Sequence, residues 1–246
     1  MILLLTGCIN PLGMSYTSLT DTEERQRQYI KAIHYYLSHT TYPIVFTENS
    51  GTDISSRFKA YISSNRVEFL TFHGNHDKQR GKGYGECKII EYALSHSQLI
   101  RNQQNKYIAK ITGRLIVRNI VTIARLHTFL FPQQKVFCAI NSDLSFPDSR
   151  LIMAPIAFYL KLLGKKDKIN DKNGYFFEHA LCDTLKEISS YYSPFFICPQ
   201  IEGMSGSTGE YYTEEPKSLS FHYRYAKFAF SQRRRFISTY SKNRNS

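Results

Sequence analysis

The residues of this 246-residue chain best suited to chemistry gather at the ends of short apolar runs. The stretch KYIAKITGRLIV (106–117) sets Lys110, Thr112, Gly113 and Arg114 directly after a run of strand character. Arg offers a planar fork of N–H donors and Lys a compact point charge, so together they suit an anionic ligand group. Thr112 and Gly113 let backbone N–H groups come close to the oxygens of such a group. Four other apolar runs end in small or polar residues: Thr6-Gly7 with Asn10, Glu48-Asn49-Ser50-Gly51 with Asp53, Phe72-His73-Gly74, and Asn141-Ser142-Asp143. Turn chemistry accounts for any one of these, but five together point to a binding crevice.

Several other chemistries fail on spacing. TGCINPLG after the first run is not a dinucleotide fingerprint, GKGYGE (81–86) has the wrong spacing, and no P-loop pattern occurs. A Gly-x-Ser-x-Gly nucleophile elbow is also missing. His73 and His76 stand three apart with no evident third metal ligand, and the five cysteines (8, 87, 138, 182, 198) show no paired metal-ligand spacing. Reduced, mostly buried thiols are expected. MILLLTGC has the outline of a lipoprotein signal, yet only ILLL separates Met1 from Thr6 and no basic residue opens it. A signal needs an apolar region of roughly 7–15 residues, so the segment reads as a first buried strand of a cytoplasmic protein. No apolar run is long enough to span a bilayer.

The elements that must position these residues alternate. Strands are expected over 2–6, 43–48, 67–72, 106–111 and 135–140, with a short apolar segment at 194–198. Helices are expected over 20–37, near 53–63, from about 84 to 99, after Val117, and over 150–163 and 175–190. Thr20 and Glu23 are spaced as a capping box for the first helix, and Asp148 and Ser149 as caps for a helix starting near Arg150. Alternation with continuous apolar strands predicts an α/β fold, a mostly parallel sheet flanked by helices. Ligands bind such sheets beyond the carboxyl ends of the strands.

The order of these pieces resembles that of GT-A-type (Rossmann-like) glycosyltransferases, particularly bacterial enzymes of capsule and lipopolysaccharide O-antigen biosynthesis. The resemblance covers about residues 1–200. It implies that TGCI and TENSGTD hold the nucleoside of a nucleotide-sugar donor, that RGKGYGECKIIEYAL supplies a loop and helix, and that YIAKITGRLIV meets the diphosphate. The implied donor-binding residues are Thr6, Gly7, Glu48, Asn49, Asp53, Lys82, Gly83, Lys110, Thr112, Gly113 and Arg114. Metal-dependent members carry two carboxylates at the end of the diphosphate strand. Lys110 and Arg114 stand there instead, which implies a cradle needing no cofactor. Asp143 and Asp148 are the alternative, a late Mn²⁺ or Mg²⁺ site, although Asp148 and Arg150 are favoured as acceptor-binding residues. NGYFFEHALCDTL would carry the acceptor-side base, Glu178, with His179 as the neighbouring alternative. The implied activity is hexosyltransferase-like and inverting, with a glycan or lipid-linked glycan as acceptor.

The formal net charge of +12 is concentrated in the tail, where Lys217, Arg224, Lys227, Arg233, Arg234, Arg235, Lys242 and Arg244 are joined by no acid. Three segments are therefore expected: a glycosyltransferase-like domain over 1–200, a flexible Gly/Ser segment or lid over 201–216, and a basic, aromatic tail over 217–246. SFHYRYAKFAFSQRRRF interleaves aromatic and basic residues at roughly helical spacing. Such a helix suits an anionic membrane surface, here the inner face of the cytoplasmic membrane. Nucleic acid is the rival partner, through phosphate contacts and base stacking. It leaves the polar strand ends and FFEHAL unexplained, and a non-catalytic scaffold is a further alternative.

Overall fold

The computed structural model describes residues 1–11, 13, 17–102, 107–131, 135–206, 208–213 and 218–241. The chain opens with β1 (Ile2–Gly7), α1 (Thr22–His39), β2 (Ile44–Glu48), α2 (Lys59–Ser63) and β3 (Val67–Thr71). Then come α3 (Lys82–His96), α4 (Gln98–Asn102), β4 (Tyr107–Thr112), β5 (Ile116–Val117), α5 (Ile120–Leu130) and β6 (Val136–Ile140). The last part holds β7 (Pro147–Pro155), α6 (Ile156–Leu163), α7 (Phe177–Glu187), β8 (Tyr192–Ser193), β9 (Ile201–Met204), β10 (Tyr211–Tyr212) and α8 (Leu219–Tyr240).

The fold is the expected α/β architecture. A seven-stranded sheet runs in the order β3-β2-β1-β4-β7-β6-β8, and β10-β9-β5 form a small second sheet. β1, β2, β3 and β4 are mutually parallel, as are β6 and β8, while β7 runs antiparallel between β4 and β6. Alternation along β1 explains the two helical layers. Ile2 and Leu4 face a core shared with Cys87, Ile90, Phe158, Leu162 and Leu181 of α3, α6 and α7. Leu3 and Leu5 face the opposite core, built with Tyr29, Ile33 and Tyr36 of α1 and Ile120 and Ile123 of α5. None of the helices among the described residues is long and apolar enough to cross a membrane.

Three local expectations are corrected. Asp21 caps α1, accepting from the backbone N–H groups of Glu23 and Glu24, in place of Thr20. Residues 147–155 form a strand, not the start of a helix, so Asp148 and Ser149 cap nothing and the helix begins at Ile156. The reason is burial on both faces: Leu151 to Ala154 are all buried between β4 and β6. The stretch reads as helix because its apolar run is continuous. The third correction concerns 194–198: the paired strand there is Tyr192–Ser193, and Phe195 is a core residue beyond it.

The tail packs on the body. Phe236 of α8 is fully buried, 4.3 Å in ring separation from Tyr192, and Gln232 donates to the carbonyl oxygens of Ile140 and Asn141.

Candidate active site

The chain builds outward from β1 through β2 to β3, then returns to place β4 on the other side of β1. This reversal leaves a crevice beyond the carboxyl ends of β1 and β4. A cleft of about 600 Å³ occupies it, floored by Thr6, Gly7, Thr112 and Arg114. Because β7 is antiparallel, its first residues lie beside the last of β4: Ile111 pairs with Leu151, which puts Asp148, Ser149 and Arg150 at the cleft. The first turns of α3 and α7 form one wall, and Met204, Ser205, Gly206 and Tyr212 of the small sheet close another side.

Lys110 borders the floor of the cleft, with its side chain only 1% exposed. Its register opposite Leu4 and Ile152 turns it toward the core face that α3 covers. There it forms an ion pair with Glu86 and donates to the Ser149 carbonyl oxygen at 2.8 Å. Glu86 also accepts from the Thr6 hydroxyl at 2.8 Å, while the Ser149 hydroxyl donates to Glu178 at 2.7 Å. One polar network thus joins the ends of β1 and β4, the first turn of α3, the start of β7 and the start of α7.

Arg114 is 8% exposed and lines the cleft. Its Nη1 donates to the Met204 carbonyl oxygen at 2.7 Å, and its buried Nε has no hydrogen-bond partner. Gly206 leaves room for the guanidinium, since a Cβ there would sit 2.4 Å from Nη2. Arg25 also borders the cleft, but it spends its donors on the carbonyl oxygens of Cys8, Ile9 and Leu19. Arg25 therefore shapes the loop after β1. Gly113 lies outside the cleft lining, where β4 comes so close to β1 that a Cβ would stand 2.7 Å from the Thr6 carbonyl oxygen.

On the β2 side, Asn49 lines the cleft with a buried, unpartnered Oδ1. Glu48 is fully buried behind it, accepting from the backbone N–H groups of Ile9, Ser50 and Thr52 and from the Ser50 hydroxyl. Burial pushes this carboxyl up, and those four donors pull against that. Glu48 ties the loop after β1 to the loop after β2. Asp53 is exposed and caps the turn at Ser55, accepting from its backbone N–H at 2.8 Å.

The two residues expected at the start of α7 part company. Glu178 faces the cleft. His179 turns back to cap its own helix, its Nδ1 accepting from the Phe176 N–H at 3.0 Å, with its ring against Tyr175 and Phe176. Asp148 and Arg150 both line the cleft and are bound to each other at 2.6 Å, with the guanidinium over the Tyr212 ring. Asp143 is exposed and engaged by Ser145, whose donors pull its carboxyl below the ordinary value. Among the described residues no group of three or more His, Cys, Asp and Glu side chains could hold a metal ion.

The cleft therefore brings together Thr6, Gly7, Asn49, Lys82, Gly83, Lys110, Thr112, Arg114, Asp148, Arg150 and Glu178. Glu48, Asp53, Gly113, His179 and Asp143 lie outside it. Sequence reasoning missed Glu86, Ser149 and Asp171. Glu86 and Asp171 sit in ordinary helix and turn contexts that signal nothing by themselves. Ser149 was noticed only as a helix cap.

No protein-family model matches the sequence, and no curated protein matches it significantly. Among solved structures, the chain is similar to a galactosyltransferase, LgtC, in complex with donor and acceptor sugar analogues. The identity is 11% over 75% of this chain and 70% of that one, with a TM-score of 0.45. It is also similar to the glycosyltransferase GlyE of Streptococcus pneumoniae, at 12% identity over 97% of this chain and 63% of that one, with a TM-score of 0.47. A cytidylyltransferase from Leptospira borgpetersenii is similar at 9% identity over 98% and 94% of the two chains, with a TM-score of 0.44.

Proposed function

We propose that this chain is a GT-A-type glycosyltransferase that moves a sugar from a nucleotide-diphosphate donor to a glycan acceptor, with inversion and without a metal. One observation carries the reading: a cleft at the sheet's switch point is lined both by a buried guanidinium with an unpartnered N–H and by a carboxylate held by Ser149. In this reading Glu178 takes the acceptor hydroxyl proton as that oxygen attacks the anomeric carbon. The bond from that carbon to the diphosphate oxygen breaks, and the diphosphate leaves with the electron pair. Arg114 meets the charge, and a guanidinium does so best with two N–H groups on two oxygens. Lys110 holds Glu86 and Ser149 in register below. Thr6, Gly7 and Asn49 flank the nucleoside, while Asp148 and Arg150 border the acceptor.

The acceptor class is a surface polysaccharide precursor carried on lipid, and the enzyme works at the inner face of the cytoplasmic membrane. Support comes from the outward side of α8, where Tyr223, Phe228 and Phe230 are exposed among Arg224, Lys227, Arg234 and Arg235. Phe129, 83% exposed, and Leu130 extend this surface, with Arg233 over the neighbouring Phe131 ring. Aromatic side chains amid cations suit a headgroup layer.

The test is calorimetry of UDP, GDP and CDP in EDTA, then of their hexose conjugates. Micromolar binding of one diphosphate in EDTA is expected. Binding that appears only after Mn²⁺ is added overturns the metal-free reading, and binding to none overturns the donor class.

A further inference from the structure

Gly81, Lys82 and Gly83 open α3, and the N–H groups at the start of a helix attract anions. In the fold an anion already sits there, and it belongs to the chain. Asp171 is 3% exposed and accepts from the Gly83 N–H at 3.3 Å through Oδ2. Its other oxygen, Oδ1, is buried without a hydrogen-bond partner, although the side chain lines the cleft. Both glycines are needed to admit it. A Cβ on Gly81 would stand 2.2 Å from Oδ2, and one on Gly83 would stand 2.8 Å from Oδ1. Gly81 also has a φ of +93°, which side chains rarely adopt.

The short hairpin that carries Asp171 is tightly made. Asn170 and Tyr175 exchange backbone hydrogen bonds at 2.9 and 3.2 Å, and Gly174 turns the chain at a φ of +76°. Asp171 is thus held in place by both the hairpin and the helix start. Burial raises its carboxyl above the ordinary value and the Glu178 carboxylate adds repulsion, while the N–H groups of Gly83 and Lys82 and the charge of Lys82 oppose this. A desolvated acceptor with an open lone pair is costly to leave unmade, at about 1–3 kcal/mol. That cost is relieved when a ligand brings a hydrogen-bond donor into the cleft.

We infer that Asp171 Oδ1 is a specificity-determining acceptor for a saccharide hydroxyl, in the cleft that Glu178 and Arg114 also line. This rests on the sugar-transfer reading and names the part of the site that recognises the sugar. The hydroxyl comes from the transferred sugar of the donor or from the acceptor glycan, and affinities tell them apart. A site built to bond a substrate hydroxyl penalises its loss heavily, because the buried partner is then left unpaired.

The experiment compares wild type with Asp171→Asn, which keeps the shape and an oxygen for the Gly83 N–H, and with Asp171→Ala. Calorimetry and saturation-transfer NMR measure the nucleoside diphosphate, its hexose conjugate and methyl hexosides, with melting temperature read alongside. The expected result is a loss of roughly 10–100-fold in affinity for the hexose conjugate, or for the methyl hexosides, with diphosphate affinity within about twofold of wild type. Loss confined to the conjugate assigns the hydroxyl to the donor, and loss confined to the hexosides assigns it to the acceptor. Equal losses for all three ligands, or none, make Asp171 only a helix cap and overturn the inference. Wild type that binds no saccharide in any form overturns it as well. If wild type binds hexosides but no diphosphate and Asp171→Asn loses the hexosides, the donor reading fails while the inference stands.

Discussion

Replacing Lys110 with Met keeps an unbranched stem and removes the charge. Glu86 then loses its buried counter-ion and keeps the Thr6 hydroxyl, while the Ser149 carbonyl oxygen loses its donor. Breaking a buried pair from one side costs about 3–5 kcal/mol. Glu86 is 22% exposed, so water recovers part of this and about 3 kcal/mol is expected. For a chain of this length, each kcal/mol moves the melting temperature by about 2–4 °C, giving a drop of roughly 6–12 °C. Removing both charges, in Lys110→Met with Glu86→Gln, leaves no orphan ion and recovers about 2 kcal/mol of that loss. The assay is urea and thermal unfolding of both single variants and the double. Single variants melting within about 2 °C of wild type, or a double no better than the worse single, would refute the argument. A Lys110→Met variant that keeps its stability but loses nucleoside-diphosphate affinity would make Lys110 a direct ligand, as its place in the sequence suggests.

Under the proposed mechanism, Glu178→Gln lowers transfer by roughly 10²–10⁴-fold with donor affinity and melting temperature nearly unchanged, as read by radiolabel transfer and calorimetry. Replacing Arg224, Lys227, Arg234 and Arg235 with Gln removes about 1 kcal/mol of attraction each, so flotation with anionic vesicles falls by roughly two to three orders of magnitude. These exposed positions are the right targets, because truncating the tail would uncover the core around Phe236. Competition by RNA but not by vesicles at physiological salt would reassign the surface. His127 is buried, its Nδ1 donating to the Ile123 carbonyl oxygen at 2.7 Å and its Nε2 accepting from the Phe196 N–H, and burial lowers its pKa from an ordinary 6.5. Below about pH 6.5 the unfolded chain takes up a proton there that the folded one resists, so stability is full above that pH and falls as pH drops. His127→Gln should flatten the fall in melting temperature below about pH 6.5, and an unchanged slope would assign it to other groups.

Strand–helix alternation, the two-faced sheet and the polar strand ends were legible in the sequence. Each rests on local periodicity: apolar runs of five or six residues, helical spacing between them, and turn residues where chains leave a sheet. Glu178, Asn49 and Arg114 were likewise visible as polar residues at element ends, and the fold brings them to one cleft. The direction of β7 was not visible, because a strand buried on both faces has the same apolar run as a helix. Its antiparallel course decides that Asp148, Ser149 and Arg150 reach the end of β4. The state of Lys110 was hidden for a related reason. Its burial and its pairing with Glu86 come from a strand register and a helix that are 24 residues apart in sequence. Asp171 was silent altogether, since a carboxylate in a turn beside Lys and Asn is ordinary. Only the tertiary packing of its hairpin against Gly81 and Gly83 empties its surroundings of water and leaves Oδ1 without a partner. Periodicity along the chain sets which elements form, whereas the charge partners and open valences of a site depend on residues that meet only after the sheet is assembled.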